Sequence, residues 1–238
     1  MNAGRCSVIK AVFFDLYNTI VRFDPPREEL QIRACREVGV EITPEALRRG
    51  YWEADDFMVR ENARASIQNL PEAERQAFWA QYERVLLKAA GSEVSAEVAL
   101  KIITRVRQFR SDFVLFPDVL PTLAVLRNRG LVTGLLSNLH RDLGLLCTRL
   151  GVAPYFDFLL TSEEVGSEKP HAAIFLTALE RAAARPDEAI HVGDQFYSDV
   201  IGAQGVGIKP LLLDRYDLGK DLKGCTRIKS LAEVVDYL

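Results

Sequence analysis

Short apolar runs that alternate with helical patterns constrain the fold of this chain more than any other feature. The runs at residues 131–136, 156–160, 189–192 and 208–213 are separated by segments with helical spacing. Parallel strands need crossover connections of this kind, and their side chains are buried on both faces. The run at residues 7–14 has the same character and belongs to the same sheet. We therefore predict an α/β fold with a Rossmann-like parallel sheet as its core.

A different pattern separates the first apolar run from the others. From about Pro26 to Asp112 the chain carries long, charged segments with helical spacing, and turn signals such as Gly39 and Gly91 divide them. These signals predict roughly four helices and no strand. The predicted domains are a core of residues 1–24 and 113–238 and an all-helical insertion of residues 25–112.

The charge balance excludes polyanionic partners. The chain has 30 Lys and Arg residues against 33 Asp and Glu residues, which gives a net charge of −3. Without an excess of basic residues there is no field to hold a nucleic acid or an anionic membrane. We therefore expect a small-molecule substrate, no nucleic acid and no membrane, and we find no sequence signal for an oligomeric state.

The cysteines indicate a reducing compartment. Cys6, Cys35, Cys147 and Cys225 lie far apart and form no CxxC pair, so neither a zinc cluster nor a dense disulfide framework is indicated. The first apolar run stops at Asp15, which makes it too short for a signal-peptide core or a membrane span. We therefore expect a cytoplasmic protein.

Polar residues follow the apolar runs at the places where an open parallel sheet binds its ligands. Asp15 to Thr19 follow the first run, Ser137 and Asn138 follow the second, Lys169 precedes a helix, and Asp194 and Asp199 follow the run at 189–192. Each has an ordinary explanation as a turn, cap or solvated residue. Together they predict a nucleophile, a hydroxyl group, a cation and an acid at one edge of the sheet.

This ordered set resembles the motifs of the haloacid dehalogenase (HAD) superfamily, in its members with a helical cap inserted after the first strand. The resemblance is carried by Asp15-Leu16-Tyr17-Asn18-Thr19, by Gly134 to Asn138, by Lys169-Pro170, and by Gly193-Asp194 with Asp199 and Gly202-Ala203. It implies catalytic roles for Asp15, Tyr17, Ser137, Asn138 and Lys169, and substrate binding by Thr19, Ser137, Asn138 and Lys169.

The resemblance also implies a chemistry. An Asp15 carboxylate attacks an electrophilic phosphorus or carbon and forms an aspartyl intermediate that water cleaves. Because an anionic nucleophile is repelled by phosphate, a cation is needed. The implied metal ligands are Asp15, the Tyr17 carbonyl, Asp194 and Asp199, and oxygen ligands of this kind indicate Mg²⁺. We therefore expect a magnesium-dependent phosphatase that acts on a small phosphomonoester.

Tyr17 departs from the phosphatase pattern, which places a second Asp two residues after the nucleophile. The L-2-haloacid dehalogenases of the superfamily have Tyr there and bind no metal, so a metal-independent dehalogenase is the first alternative. Asp194, where those dehalogenases typically have Ser, and Phe175, where they tend to have Tyr, favour the phosphatase. His140 is a candidate replacement acid, or simply opens the next helix, while His191 is interpreted as a core strand residue.

Two further alternatives remain open. One is a catalytically weak relative that binds a phosphorylated metabolite without turning it over. The other is a phosphoryl transferase, which would pass the phosphoryl group to a sugar instead of water.

Overall fold

The computed structural model describes residues 8–138 and 142–238, and it divides into two compact units. The sheet unit comprises the described residues of Met1–Arg22 and Leu115–Leu238, and the helical unit comprises Phe23–Val114. None of the described helices is long and apolar enough to cross a membrane.

The eight strands of residues 8–138 and 142–238 form two sheets. In chain order they are β1 Ala11–Phe14, β2 Val21–Asp24, β3 Asp112–Leu115, β4 Val132–Ser137, β5 Phe158–Thr161, β6 Ala189–Gly193, β7 Lys209–Leu213 and β8 Thr226–Ile228 among the described residues. The larger sheet has the order β5-β4-β1-β6-β7-β8, and its neighbouring strands pair in parallel. This confirms the predicted α/β fold, while β2 and β3 pair in a separate sheet.

The α-helices connect these strands or build the helical unit. In chain order they are α1 Arg27–Arg36, α2 Pro44–Arg64, α3 Glu72–Ala89, α4 Ala96–Val106, α5 Val119–Asn128, α6 Leu143–Arg149, α7 Ser162–Val165, α8 Ala172–Arg181 and α9 Gly202–Gly205. A π-helical turn, Phe196–Ile201, precedes α9.

Strand β1 is the centre of the sheet, and its four residues are fully buried. Phe14, its last residue, pairs in register with Leu135 of β4 on one side and with Val192 of β6 on the other. Since β4 ends at Ser137 and β6 at Gly193, the carboxyl ends of the three strands lie close together. The polar residues that follow them must meet at one edge, which is where open parallel sheets bind ligands.

The helical unit packs α1 to α4 around its own core. Buried apolar side chains from all four helices form that core: Ala34, Cys35, Leu47, Tyr51, Ala54, Tyr82, Leu86, Leu87, Ile102 and Ile103. The side chain of Thr43 caps α2 by accepting a hydrogen bond from the backbone of Ala46, and Ser95 caps α4 in the same way. Packing of the apolar side chains, together with the caps of α2 and α4, explains why these charged segments are helical.

Several predicted elements differ from the structure in extent. The segments with helical spacing that flank β6 are only partly α-helical, because α8 ends at Arg181 and a π-helical turn precedes α9. Strands β2, β3 and β8 were not predicted. Each is short and contains at least one charged residue, so none forms the continuous apolar run by which the buried strands were predicted.

Candidate active site

Three carboxylates converge at the carboxyl end of the sheet. Asp15 follows β1, Asp194 follows β6, and Asp199 lies in the π-helical turn. One oxygen from each lies within 4.8 Å of the others. Asp15 and Asp199 are buried, whereas Asp194 is half-buried. This arrangement is a candidate metal site built from oxygen ligands.

Lys169 joins two of these carboxylates. Its Nζ donates to Asp15 Oδ1 and to Asp199 Oδ1, each at 2.6 Å, and the side chain is almost fully buried. A lysine ammonium has three donors, so these contacts account for two of them. The third N–H would suit an oxygen of a bound anion.

Asn138 fastens the Lys169 segment to the end of β4. Its Oδ1 accepts from the Lys169 backbone N–H at 2.8 Å, and its Nδ2 donates to the Lys169 carbonyl at 3.1 Å. Both polar ends of the amide are thus used to position the lysine. This positioning contact was not anticipated from the sequence, and a direct role of Asn138 in catalysis or substrate binding stays a prediction.

Asp199 is held by donors from three parts of the chain. Besides Lys169, its Oδ1 lies 3.0 Å from His191 Nε2, and its Oδ2 accepts from the Gln195 backbone at 3.1 Å. The absence of a side chain at Gly193 makes room for it, because a Cβ there would lie 2.2 Å from the Asp199 carboxylate. His191 is the core strand residue that its apolar neighbours predict, but its contact with Asp199 was missed.

Burial and charge shift the pKa values of this cluster in different directions. Burial raises the pKa of Asp15 to about 6; the Lys169 ammonium limits this rise, and the Asp199 carboxylate adds to it. Burial opposes ionisation of Asp199 too, but Lys169 and the His191 hydrogen bond hold its pKa below the usual range. Burial alone would lower the pKa of Lys169, yet the two carboxylates raise it, so the lysine stays charged.

Two hydroxyl groups complete the predicted set. Ser137 and Thr19 are buried, and among the described residues neither Ser137 Oγ nor Thr19 Oγ1 has a hydrogen-bond partner. A buried hydroxyl group without a partner is costly, which is consistent with a role in binding a ligand. The Thr19 carbonyl accepts from Arg215, a contact that carried no sequence signal.

Three other residues of the sequence analysis are Tyr17, His140 and Phe175. Tyr17 is half-buried and forms an isolated bridge with Val21, and its carbonyl as a metal ligand stays a prediction. His140 lies outside the described residues. Phe175 is fully buried, and its ring packs against the edge of the His191 ring at 5.1 Å.

A family model and several known proteins match most of this chain. The model of a family described as haloacid dehalogenase-like hydrolase matches residues 9–207, a range that includes every predicted site residue. The glyceraldehyde 3-phosphate phosphatase of Methanopyrus kandleri is 30% identical and aligns with 87% of this chain and 85% of its own. The ribulose-1,5-bisphosphate 5-phosphatase of Halopiger xanaduensis is 29% identical, over 86% of this chain and 84% of its own.

Solved structures show the same fold. A 2-haloacid dehalogenase from Pseudomonas syringae is 26% identical, with a TM-score of 0.57, over 96% of this chain and 97% of its own. Proteins with phosphatase and dehalogenase names are thus both similar to this one, and the residues at the site must distinguish between them.

Proposed function

We propose that this chain, which belongs to the haloacid dehalogenase-like hydrolases, is a magnesium-dependent phosphatase that cleaves a small phosphomonoester through an aspartyl-phosphate intermediate. The observation that carries the proposal is the cluster of Asp15, Asp194 and Asp199 around Lys169 at the end of the central strand. The names of the phosphatases from Methanopyrus kandleri and Halopiger xanaduensis support a small phosphorylated substrate.

The residues present fit a magnesium ion. Three carboxylates lie close together, two of them in contact with Lys169, so like charges are concentrated in a largely buried cluster. A divalent cation would balance them, and carboxylate oxygens are the ligands that Mg²⁺ prefers. Asp15, Asp194 and Asp199, with the Tyr17 carbonyl, would hold the ion. When bound, it would offset the repulsion between the Asp15 carboxylate and the substrate phosphate.

The side chains of this site account for the reaction steps. The Asp15 carboxylate attacks phosphorus, and the bond from phosphorus to the leaving oxygen breaks, which gives an aspartyl phosphate and an alkoxide or phenolate that takes its proton from water. Lys169 donates its remaining N–H to a phosphoryl oxygen, and the Ser137 hydroxyl donates to another. Water then cleaves the aspartyl phosphate, releases inorganic phosphate and restores Asp15.

Because Tyr17 stands where phosphatases of the family have an Asp, protonation of the leaving oxygen should be the slow step for this enzyme. A positioned general acid typically contributes about 10²–10⁴-fold, and a phenol with a reference pKa near 10 is poorly matched to acid–base work at neutral pH. We expect an aryl phosphate with an acidic phenol to be turned over much faster than an alkyl phosphate of similar size. Tyr17→Asp should narrow that gap by accelerating the alkyl ester under saturating substrate. Equal turnover of both esters by the natural chain would show that another group supplies the proton.

A metal-independent haloacid dehalogenase is the second candidate, because Tyr17 matches that chemistry and the similar Pseudomonas syringae structure carries a dehalogenase name. Halide leaves without protonation, so a missing acid would not matter. Asp194 argues against it, since a third carboxylate beside Asp15 and Asp199 would be costly without a cation. The cytoplasm remains the proposed compartment, supported by the free thiols of Cys35, Cys147 and Cys225.

One assay separates the candidates. Phosphate release from a panel of phosphomonoesters, and chloride release from 2-chloropropionate, would be measured with Mg²⁺ and with EDTA. We expect magnesium-dependent phosphate release that falls by several orders of magnitude in Asp15→Asn. Asp187→Asn, at an exposed position of the sheet unit, is the matched control for an Asp-to-Asn change. Chloride release that persists in EDTA, without phosphate release, would support the dehalogenase instead.

A further inference from the structure

We infer that His191 is a positioning residue, which fixes the Asp199 carboxylate through an Nε2–H hydrogen bond so that Lys169 is held against the nucleophile Asp15. The inference rests on the proposed function for its catalytic consequence, but the hydrogen bond itself is independent of it. The contacts form one chain: His191 Nε2 to Asp199 Oδ1 at 3.0 Å, and Lys169 Nζ to Asp199 Oδ1 and Asp15 Oδ1 at 2.6 Å each.

The polar contacts of His191 argue against a purely structural role. The residue is fully buried, and its Nδ1 has no hydrogen-bond partner among the described residues. A buried polar atom without a partner destabilises a fold, so an apolar side chain would serve packing better at this position. The hydrogen bond that the ring forms within the described part of the chain goes to Asp199. Because a carboxylate oxygen can only accept, the Nε2 atom carries the proton.

The rigidity of the surroundings explains why His191 can position Asp199. It lies in the middle of β6, which pairs with β1 on one side and with β7 on the other. The ring of Phe175 packs against its edge at an interplanar angle of 87°. His191 and Gly193 lie on the same face of β6, since residues two apart share a face, and Gly193 leaves the room that the carboxylate occupies.

Lys169 needs such an anchor because a lysine ammonium on a four-carbon stem does not orient itself. Its direction is set by the two carboxylates that it contacts, and one of these, Asp15, must stay reactive. Asp199 is therefore the fixed end: Oδ1 accepts from His191, and Oδ2 accepts from the Gln195 backbone. Without the His191 donor, the Gln195 N–H would remain as the only rigid contact of this carboxylate among those described.

Kinetics of three variants test the positioning role. His191→Leu removes the donor and fills the space, whereas His191→Gln can place an amide N–H near the position of Nε2. Loss of an outer partner of a catalytic carboxylate typically costs about 10–100-fold in activity. We expect that loss of kcat in the leucine variant and substantial rescue in the glutamine variant. Ile190→Val, a conservative buried change in the same strand, should stay near the natural rate.

The proton position supplies a test that needs no substrate or metal. In ¹⁵N spectra of histidine-labelled protein, with the His191 signals assigned by their loss in His191→Gln, we expect a protonated Nε2 and a bare Nδ1. A proton on Nδ1 would overturn the inference even if phosphatase activity is found. Equal kcat in His191→Leu and the natural chain would overturn it too. If the natural chain releases no phosphate, the proposed function fails, and the proton position still decides whether His191 donates to Asp199.

Discussion

Raising the pH should weaken the helical unit, because Glu83 must then ionise in a buried site. Glu83 lies on α3 and is fully buried. Its Oε1 accepts from Gln31 Nε2, and its Oε2 has no hydrogen-bond partner among the described residues. Burial raises the pKa of Glu83 from its ordinary 4.5 to about 8, although the Gln31 hydrogen bond opposes the rise. The carboxyl group is therefore protonated in the folded chain at neutral pH.

The titratable neighbours of Glu83 are neutral. Among the described residues, Cys35 on α1 and Tyr51 on α2 are titratable groups that interact with Glu83. Burial raises the pKa of the Cys35 thiol to about 11, and burial also raises the pKa of Tyr51. Both stay neutral between pH 5 and pH 8, so neither screens the charge that Glu83 acquires.

The sign of the effect follows from proton linkage. The folded chain binds this proton more tightly than the unfolded chain does, so the associated stability is fully present below about pH 4.5 and is lost as the pH rises towards 8. One pKa unit corresponds to ~1.4 kcal/mol. Between pH 5 and pH 8, Glu83 should therefore lower the free energy of unfolding by about 3 kcal/mol.

Glu83→Gln removes this titration and keeps the shape of the side chain. Trp52 and Trp79, the two tryptophans of the chain, both lie in the helical unit, so tryptophan fluorescence during urea unfolding reports on that unit. Between pH 5 and pH 8, the free energy of unfolding of the variant should rise by about 3 kcal/mol relative to that of the natural chain. With m values of about 1–3 kcal/mol per M, the difference between their urea midpoints should change by about 1–3 M.

A control and a refuting result define the test. Glu74→Gln removes the same charge at an exposed position of the same helix, and it should follow the natural chain at every pH. The other titratable groups contribute equally to the natural chain and to both variants, so their effect cancels in the differences between the free energies of unfolding. If Glu83→Gln and the natural chain lose stability in parallel from pH 5 to pH 8, Glu83 is ionised in the fold at ordinary pH, and the reasoning from burial is wrong.

Three further predictions concern the sheet unit. Gly193→Ala should lower turnover by at least about 10-fold, because the new Cβ would displace the Asp199 carboxylate. Steady-state kinetics measures the turnover, and a far-UV circular dichroism spectrum checks that the variant is folded. Arg215→Lys should cost about 1–2 kcal/mol in urea unfolding followed by circular dichroism, because lysine cannot reproduce the two bonds to Asp118 together with the bond to the Thr19 carbonyl. Calorimetric titration with Mg²⁺ should show binding that Asp194→Asn weakens, whereas unchanged affinity would exclude that ligand.

The amino-acid sequence by itself determined the fold class and predicted the residues of the candidate site. A buried parallel strand must be apolar on both faces, so the runs that became β1, β4 and β6 were visible without a structure. The chemistry of a nucleophile, a cation and metal ligands restricts the residue types that can follow those strands. Asp15, Lys169 and Asp194 were therefore predictable as a set, although not their distances.

Only the tertiary structure decided how these residues act on one another. The contact between His191 and Asp199 depends on the face of β6 that the imidazole occupies and on the π-helical turn. Because β6 is buried throughout, its sequence does not alternate between apolar and polar residues and does not distinguish the two faces. The π-helical turn has no recognisable sequence pattern either. The raised pKa of Glu83 likewise depends on the helices that exclude water from it, whereas the sequence shows only one more charged residue on a helix. Hydrogen bonds and desolvation act over a few ångströms between residues far apart in the chain, so they exist only once the chain has folded.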